Sequence, residues 1–123
     1  MTDTILLTIP ANPAYRGVPS LVLGGVGSRL DLPFERMDDL QLAVLSMLDA
    51  SVGDQASVEI VADDERLGVS VGPLRSDAGS DKGLELVLQR LTDGVEPEDR
   101  GGDVWLTVSL VRPPAERDDA PVV

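Results

Sequence analysis

The 123-residue chain contains neither cysteine nor histidine. Without cysteine there is no thiol nucleophile and no disulfide bond, and without histidine there is no Ser–His pair. The usual zinc sites are excluded as well, because they are built from these two residue types. Any catalysis would therefore have to use carboxylates, hydroxyls, arginines, Lys82 or a bound metal ion.

Aromatic and basic residues are also scarce. The aromatic residues are Tyr15, Phe34 and Trp105, and 22 acidic against 10 basic residues give a net charge of −12. Nucleic-acid binding depends on Lys and Arg, and single-strand binding also needs aromatic stacking, so we expect no nucleic-acid partner. An anionic membrane would repel the chain. A basic surface on a protein partner is the better electrostatic match.

Long hydrophobic runs are absent too. No apolar segment approaches the length of a membrane span, and the N-terminal MTDTILLTIP has neither the basic nor the long apolar part of a signal peptide. We therefore predict a cytoplasmic protein. The length suits one domain, predicted over residues 1–111, followed by a disordered acidic tail over 112–123.

The stretch from Leu32 to Val52 is predicted to be one long central helix. Pro33 suits its first turn, and acidic residues in the early turns match the helix dipole. Its apolar residues recur at three- and four-residue steps, which predicts a buried face. The residues of that face are Met37, Leu40, Val44, Met47 and Leu48.

The remaining segments complete an α/β (α+β) two-layer sandwich. Asn12 and Pro13 predict the start of a helical segment that reaches Leu30 and is kinked near Pro19 or begins there. A third helix is predicted over 83–91, capped by Asp81, with Leu84, Val87, Leu88 and Leu91 inward. Strands are predicted over 4–9, 57–62, 67–71 and 103–111, with at most a short one around Val95.

These elements predict a mostly antiparallel mixed sheet with three helices on one face and a solvated opposite face. The polar segment 72–82 is predicted to be a loop. Leu6 and Trp105 are the apolar residues expected on the solvated face. Two interpretations of Trp105 stay open: its neighbours cover it in part, or it contacts a second subunit.

The element order and several phrases resemble the bacterial anti-sigma-factor serine kinases, which have the histidine-kinase-like ATPase fold. The phrases are LTIPANPAYRGVPSLVLGGVGSRLDLPFERMDDLQLAV, VEIVADDERLGVSV, GLELVLQRLTDGVE and GGDVWLTVSL, so the resemblance extends over residues 4 to 111. It implies a Mg·ATP pocket, a homodimer, and a protein partner that is a sigma factor, an anti-anti-sigma-type domain or a related kinase.

The residues that hold nucleotide in that family are replaced here. After the Leu-Ala-Val phrase the family has a Glu, and four residues later an Asn that binds Mg²⁺; the matching positions are Ser46 and Ala50. Asp49 is expected to point elsewhere, since one residue turns a helix by about 100°. The family's Asp-x-Gly, which binds adenine, matches Pro73 and Arg75.

A weak anion site is predicted at the N-terminus of the third helix. Its residues are Lys82, Gly83 and Leu84. The same Gly-Leu-x-Leu phrase also fits a helix that simply packs its leucines. The former ATP pocket is expected to be filled by Met47, Leu48 and Leu74.

Three functions are compatible with these observations. The first is a non-catalytic regulator that binds a protein partner and needs no cofactor. The second is a Mg·ATP-dependent serine kinase with unusual pocket residues, and the third is a small binding or structural module with another ligand. The first is the hypothesis that best explains why two motifs on separate elements are both replaced.

Overall fold

The structure, a computed structural model, describes residues 2–113. Beyond Pro113, the predicted acidic tail lies outside the described residues. Short 3₁₀ helices span Pro13–Tyr15 and Ala78–Ser80. The other elements are β1 (Asp3–Pro10), α1 (Gly17–Arg29), α2 (Phe34–Leu48), β2 (Gln55–Ala62), β3 (Arg66–Leu74), α3 (Lys82–Leu91), β4 (Gly94–Arg100) and β5 (Asp103–Val111).

The strands form a five-stranded sheet in the order β1-β2-β3-β5-β4. Every pairing between these strands is antiparallel, so the described part of the chain has no mixed sheet. The predicted α+β fold is confirmed. Hairpins join β2 to β3 and β4 to β5, and β3 lies at the centre.

The central helix is shorter than predicted, and its ends have clear causes. Pro33 has an extended backbone, with ψ at 143°, so the helix begins at Phe34 instead of Leu32. After a last turn in which Asp49, Ala50 and Ser51 still donate to helix carbonyls, the chain bonds to the end of β3. The Arg75 N–H donates to the Ala50 carbonyl at 2.9 Å, and the Val52 N–H donates to the Pro73 carbonyl at 3.0 Å.

The predicted buried face of α2 is confirmed: its members Met37, Leu40, Val44, Met47 and Leu48 are all at most 8% exposed. They pack with the inward residues of the sheet in one hydrophobic core. The sheet residues of that core include Val58, Ile60, Leu67, Val69, Val71, Leu106, Val108 and Leu110.

Three of the smaller predictions need correction. β3 continues to Leu74 through an irregular step after Val71, so the predicted loop begins later. β4 is a full strand, because Pro97 and its charged neighbours are tolerated at a sheet edge. On α3, Leu88 is buried as predicted, but Val87 is exposed. The first helix begins at Gly17, just before Pro19.

The open face of the sheet is organised around Trp105, which is half-buried. The Arg100 guanidinium stacks on its ring at 4.2 Å from the centroid. Arg100 donates to Glu98 at 3.1 Å and to Glu59 at 2.7 Å, and these contacts raise the pKa of Arg100. Trp105 also covers Gly72 so closely that a Cβ there would lie 2.3 Å from the ring. Neighbouring residues of its own chain therefore cover Trp105 in part.

The β2–β3 turn supplies a pH-dependent contribution to stability. The Asp63 carboxylate accepts the N–H groups of Glu65 at 2.7 Å and Arg66 at 2.8 Å. These two bonds hold the pKa of Asp63 below its ordinary 3.8. The contribution is therefore complete above pH 3.8 and is lost as the pH falls through the lower folded-state pKa.

Below pH 3.8 the free energy of unfolding should decrease less steeply with falling pH in Asp63→Asn than in the unmodified chain. The reason is that asparagine has no carboxylate to protonate. Urea unfolding at a series of acidic pH values measures this slope. Asp38→Asn, which removes one charge from an exposed position on α2, is the control. Equal slopes for Asp63→Asn and the unmodified chain would contradict the assignment.

Candidate functional site

A cavity of about 290 Å³ lies where the end of α2 meets the end of β3 and the start of α3. It is open to solvent on one side and is lined by both polar and apolar groups. Its lining residues are Ser46, Asp49, Ala50, Arg75, Asp81, Gly83, Leu84 and Val87.

The structure brings together most of the site residues predicted from the sequence. Ser46, Ala50 and Arg75, which come from α2 and the end of β3, line the same cavity. Gly83 and Leu84 from α3 join them. Of the other predicted positions, Pro73 and Lys82 are not among the lining residues. Pro73 lies within β3, and Lys82 is the exposed first residue of α3.

The two positions on α2 offer no metal ligand. The Ser46 hydroxyl donates to the Leu42 carbonyl of its own helix at 3.0 Å. Ala50 has only a methyl group and is 4% exposed. A magnesium ion prefers carboxylate, carbonyl or water oxygens in octahedral geometry. Neither Ser46 on α2 nor Ala50 just after it therefore provides the carboxylate or amide that the family resemblance implies at these two positions.

Arg75 lines the cavity and forms ion pairs with its own chain. Its guanidinium donates to the Asp81 carboxylate at 2.8 Å and to Asp77 at 3.4 Å. The Arg75 side chain is 40% exposed, so these pairs lie at the surface of the protein. The family's Asp-x-Gly implies a carboxylate and a glycine for adenine, and the structure instead places an arginine side chain on the cavity wall.

The predicted anion site at the start of α3 is used by the chain itself. Asp81 is the N-cap, as predicted: its side chain accepts the Leu84 N–H at 3.0 Å. Its carbonyl accepts the Glu85 N–H at 2.9 Å. The favourable end of the helix dipole therefore already holds a carboxylate.

Asp49 also contributes to the lining of the cavity. Its carboxylate forms an ion pair with Arg16, which precedes α1 and is not among the lining residues. The carboxylate is therefore engaged on the α1 side of the cavity.

Mg·ATP is the cofactor that the family resemblance implies, and the described residues do not fit it. Three carboxylates lie in or beside the cavity, at Asp49, Asp77 and Asp81, and each is paired with an arginine. No group of three or more acidic residues placed to hold a metal ion occurs within residues 2–113. The residues expected to fill the former ATP pocket are Met47, Leu48 and Leu74. All three belong to the core and are at most 3% exposed.

Several known proteins are similar to this chain in sequence, although no family model matches it. The chain is 30% identical over 111 residues to the serine-protein kinase RsbW of Listeria monocytogenes serovar 1/2a, in an alignment that covers 84% of this chain and 66% of the relative. It is 45% identical over 42 residues to the RsbW of Bacillus pumilus, which is 34% of this chain and 26% of that protein.

The chain thus spans 66% of the length of the first curated relative, slightly less than two thirds. Within residues 2–113, none of the helices is long and apolar enough to cross a membrane. The α+β fold and the extended match agree with the resemblance seen in the sequence. The chain is related to the bacterial anti-sigma-factor serine kinases represented by the serine-protein kinase RsbW.

Proposed function

We propose that this protein is a non-catalytic, anti-sigma-factor-like regulator that acts in the cytoplasm by binding another protein. Its partner is a sigma factor, an anti-anti-sigma-type domain or a true kinase of the same family. The observation that supports the proposal most is the Arg75–Asp81 ion pair, which lines the cavity where the family resemblance implies nucleotide.

The ion pair matters because it sets a cation on the cavity wall where the family resemblance implies a carboxylate. Its side chains are 40% and 32% exposed, so breaking it costs little, and Asp81 would keep the cap of α3 through its other carboxylate oxygen. ATP phosphates would gain little in exchange, since Ala50 offers no ligand for a bridging metal ion. The same scaffold can still present its outer surfaces to a protein, because binding surfaces do not depend on the pocket.

The charge of the chain indicates what that partner surface looks like. With a net charge of −12, the protein is attracted to a basic surface at long range. Binding should therefore weaken as salt is added. A partner that bound with the same affinity at low and high salt would not be the basic protein proposed here.

Calorimetric titration with ATP, with and without Mg²⁺, is the direct test. We expect no binding heat and no thermal shift at millimolar ATP, in contrast to the RsbW of Listeria monocytogenes measured in parallel. Arg75→Ala is expected to show no ATP binding either, because widening the cavity does not restore a ligand at Ala50. Mg²⁺-dependent binding by the unmodified chain would overturn the proposal.

The second candidate is an active serine kinase, favoured by the name of the relatives and by Asp49 at the cavity. It would need Asp49 to leave Arg16 and act on the substrate hydroxyl. Transfer of labelled phosphate to an anti-anti-sigma-type domain, abolished by Asp49→Asn and unaffected by Asp38→Asn, would establish it. Without transfer, the binding proposal stands.

A further inference from the structure

Trp105, Glu59 and Glu98 form a cation site on the open face of the sheet, and the chain's own Arg100 fills it. The Arg100 guanidinium lies 4.2 Å from the centroid of the Trp105 ring and donates to Glu59 at 2.7 Å and to Glu98 at 3.1 Å. An aromatic face beside two carboxylates is a combination that recognises cations. The position of Arg100 thus shows which chemical group this site accepts.

The sheet holds the three residues of the site in place. They come from separate strands, Glu59 from β2, Glu98 from β4 and Trp105 from β5, and Glu98 is paired directly with Trp105. The Trp105 ring packs so closely on the main chain of β3 that a Cβ on Gly72 would lie 2.3 Å from it. The strand pairing and this packing position the site without help from Arg100.

Arg100 itself is weakly held. It is the last residue of the edge strand β4, and two glycines with positive φ, Gly101 and Gly102, follow it in the hairpin turn. Its side chain is 30% exposed, and those of Glu59 and Glu98 are 26% and 43% exposed. Ion pairs and cation–π contacts at partly exposed positions contribute little to stability. Arg100 can therefore leave the site at small cost and let another cation in.

The charges around the site favour a basic ligand. Because side chains alternate along a strand, Glu96 and Asp103 lie on the same face of the sheet as the site. Together with the two glutamates of the site, they place four carboxylates against Arg100. Arg66 shares the face but lies at the opposite end of β3. This end of the open face therefore has an excess of negative charge even with Arg100 in place.

We propose that the basic partner docks on the open face, and that an arginine side chain of the partner displaces Arg100 and stacks on Trp105. This docking mode rests on the proposed function, since it specifies the surface by which the regulator binds. Arginine suits the site better than lysine, because a planar guanidinium both stacks on a ring and spans two carboxylates. Leu6, which is paired with Glu59 and is 64% exposed, offers apolar surface that the same partner can cover.

Calorimetric titration of the whole chain with a hexa-arginine peptide tests the exchange, at about 0.15 M salt to limit long-range attraction. Arg100→Ala removes the competing guanidinium. It should tighten peptide binding by about tenfold, the factor expected when Arg100 leaves the site vacant about a tenth of the time. Arg90→Ala is the matched control, because it removes the same charge from an exposed position in the last turn of α3. If the two variants bind the peptide equally, Arg100 does not compete for the site and the proposal fails.

Glu59→Gln in the Arg100→Ala background shows whether the peptide binds at this face. It removes one carboxylate of the site, so the gain from Arg100→Ala should be lost. Glu35→Gln makes the same change of charge at an exposed position on α2 and should preserve the gain. A hexa-lysine peptide should show no comparable gain, because an ammonium group cannot stack as a guanidinium does. Circular dichroism spectra and urea midpoints like those of the unmodified chain establish that each variant is folded.

The docking site and the proposed function can fail separately. Mg²⁺-dependent ATP binding would overturn the non-catalytic regulator, and the peptide titration would still decide whether the site on the open face exists. Equal peptide binding by Arg100→Ala and Arg90→Ala would leave the regulator intact but place its docking surface away from Trp105. Failure of every variant to bind the hexa-arginine peptide would overturn the docking site and would also contradict a basic partner.

Discussion

Leu40→Ala is expected to lower the free energy of unfolding by about 2–5 kcal/mol, the range found when a buried leucine leaves a cavity. Leu40 is 0% exposed and belongs to the face of α2 that packs in the central core. The total stability of a small domain is typically about 5–15 kcal/mol, so the loss is a large fraction of it. Urea unfolding followed by circular dichroism measures the change in midpoint.

Leu42→Ala is the matched control, since it makes the same substitution on the same helix at a position 49% exposed. Its effect should stay below about 1 kcal/mol, because little apolar surface is uncovered and Ala has the higher helix propensity. If the two substitutions cost the same, α2 would not be the buried central helix of this fold.

Gly27→Ala and Gly25→Ala are expected to change stability in opposite directions. Both glycines lie in α1, where Ala is intrinsically favoured by about 1 kcal/mol. A Cβ on Gly25 would meet nothing within 4 Å, so Gly25→Ala should stabilise by about 0.5–1 kcal/mol. A Cβ on Gly27 would lie 2.4 Å from the Met37 sulfur, and overpacking of this kind costs about 1–3 kcal/mol.

The pair isolates the α1–α2 contact, because the substitution and the helix are the same in both variants. Thermal unfolding at the same protein concentration shows directly whether each substitution raises or lowers the stability. In a Met37→Ala background, Gly27→Ala should cost less than it does in the unmodified chain, since the shortened side chain removes the collision. Stabilisation by Gly27→Ala alone would show that the two helices are further apart than described.

Regular patterning made most of the fold predictable. The apolar steps along α2 and the alternation of β2 and β5 identified their buried faces correctly. Errors arose where tertiary contacts decide the outcome. The end of α2 depends on main-chain hydrogen bonds from Val52 and Arg75, which the local sequence does not predict. β4 has a sequence unsuited to an interior strand, and its edge position explains why it forms.

The candidate site was predictable in location more than in chemistry. Family spacing identified Ser46, Ala50 and Arg75, which line one cavity. It gave no indication that Arg75 would pair with Asp81, because that contact depends on how the β3–α3 connection folds. The Asp49–Arg16 ion pair was not predicted either, because Arg16 is distant in sequence.

The position of Trp105 decides what optical signals this protein can give. It is the single tryptophan, it lies on the open face of the sheet, and Arg100 stacks on it. The cavity is lined by other residues, in the layer on the opposite side of the sheet. Because Trp105 does not line the cavity, a flat nucleotide titration followed by tryptophan fluorescence would not by itself exclude binding there. A protein that docks on the open face and shifts Arg100 would change the emission, so the chain has a built-in reporter for partners on that face.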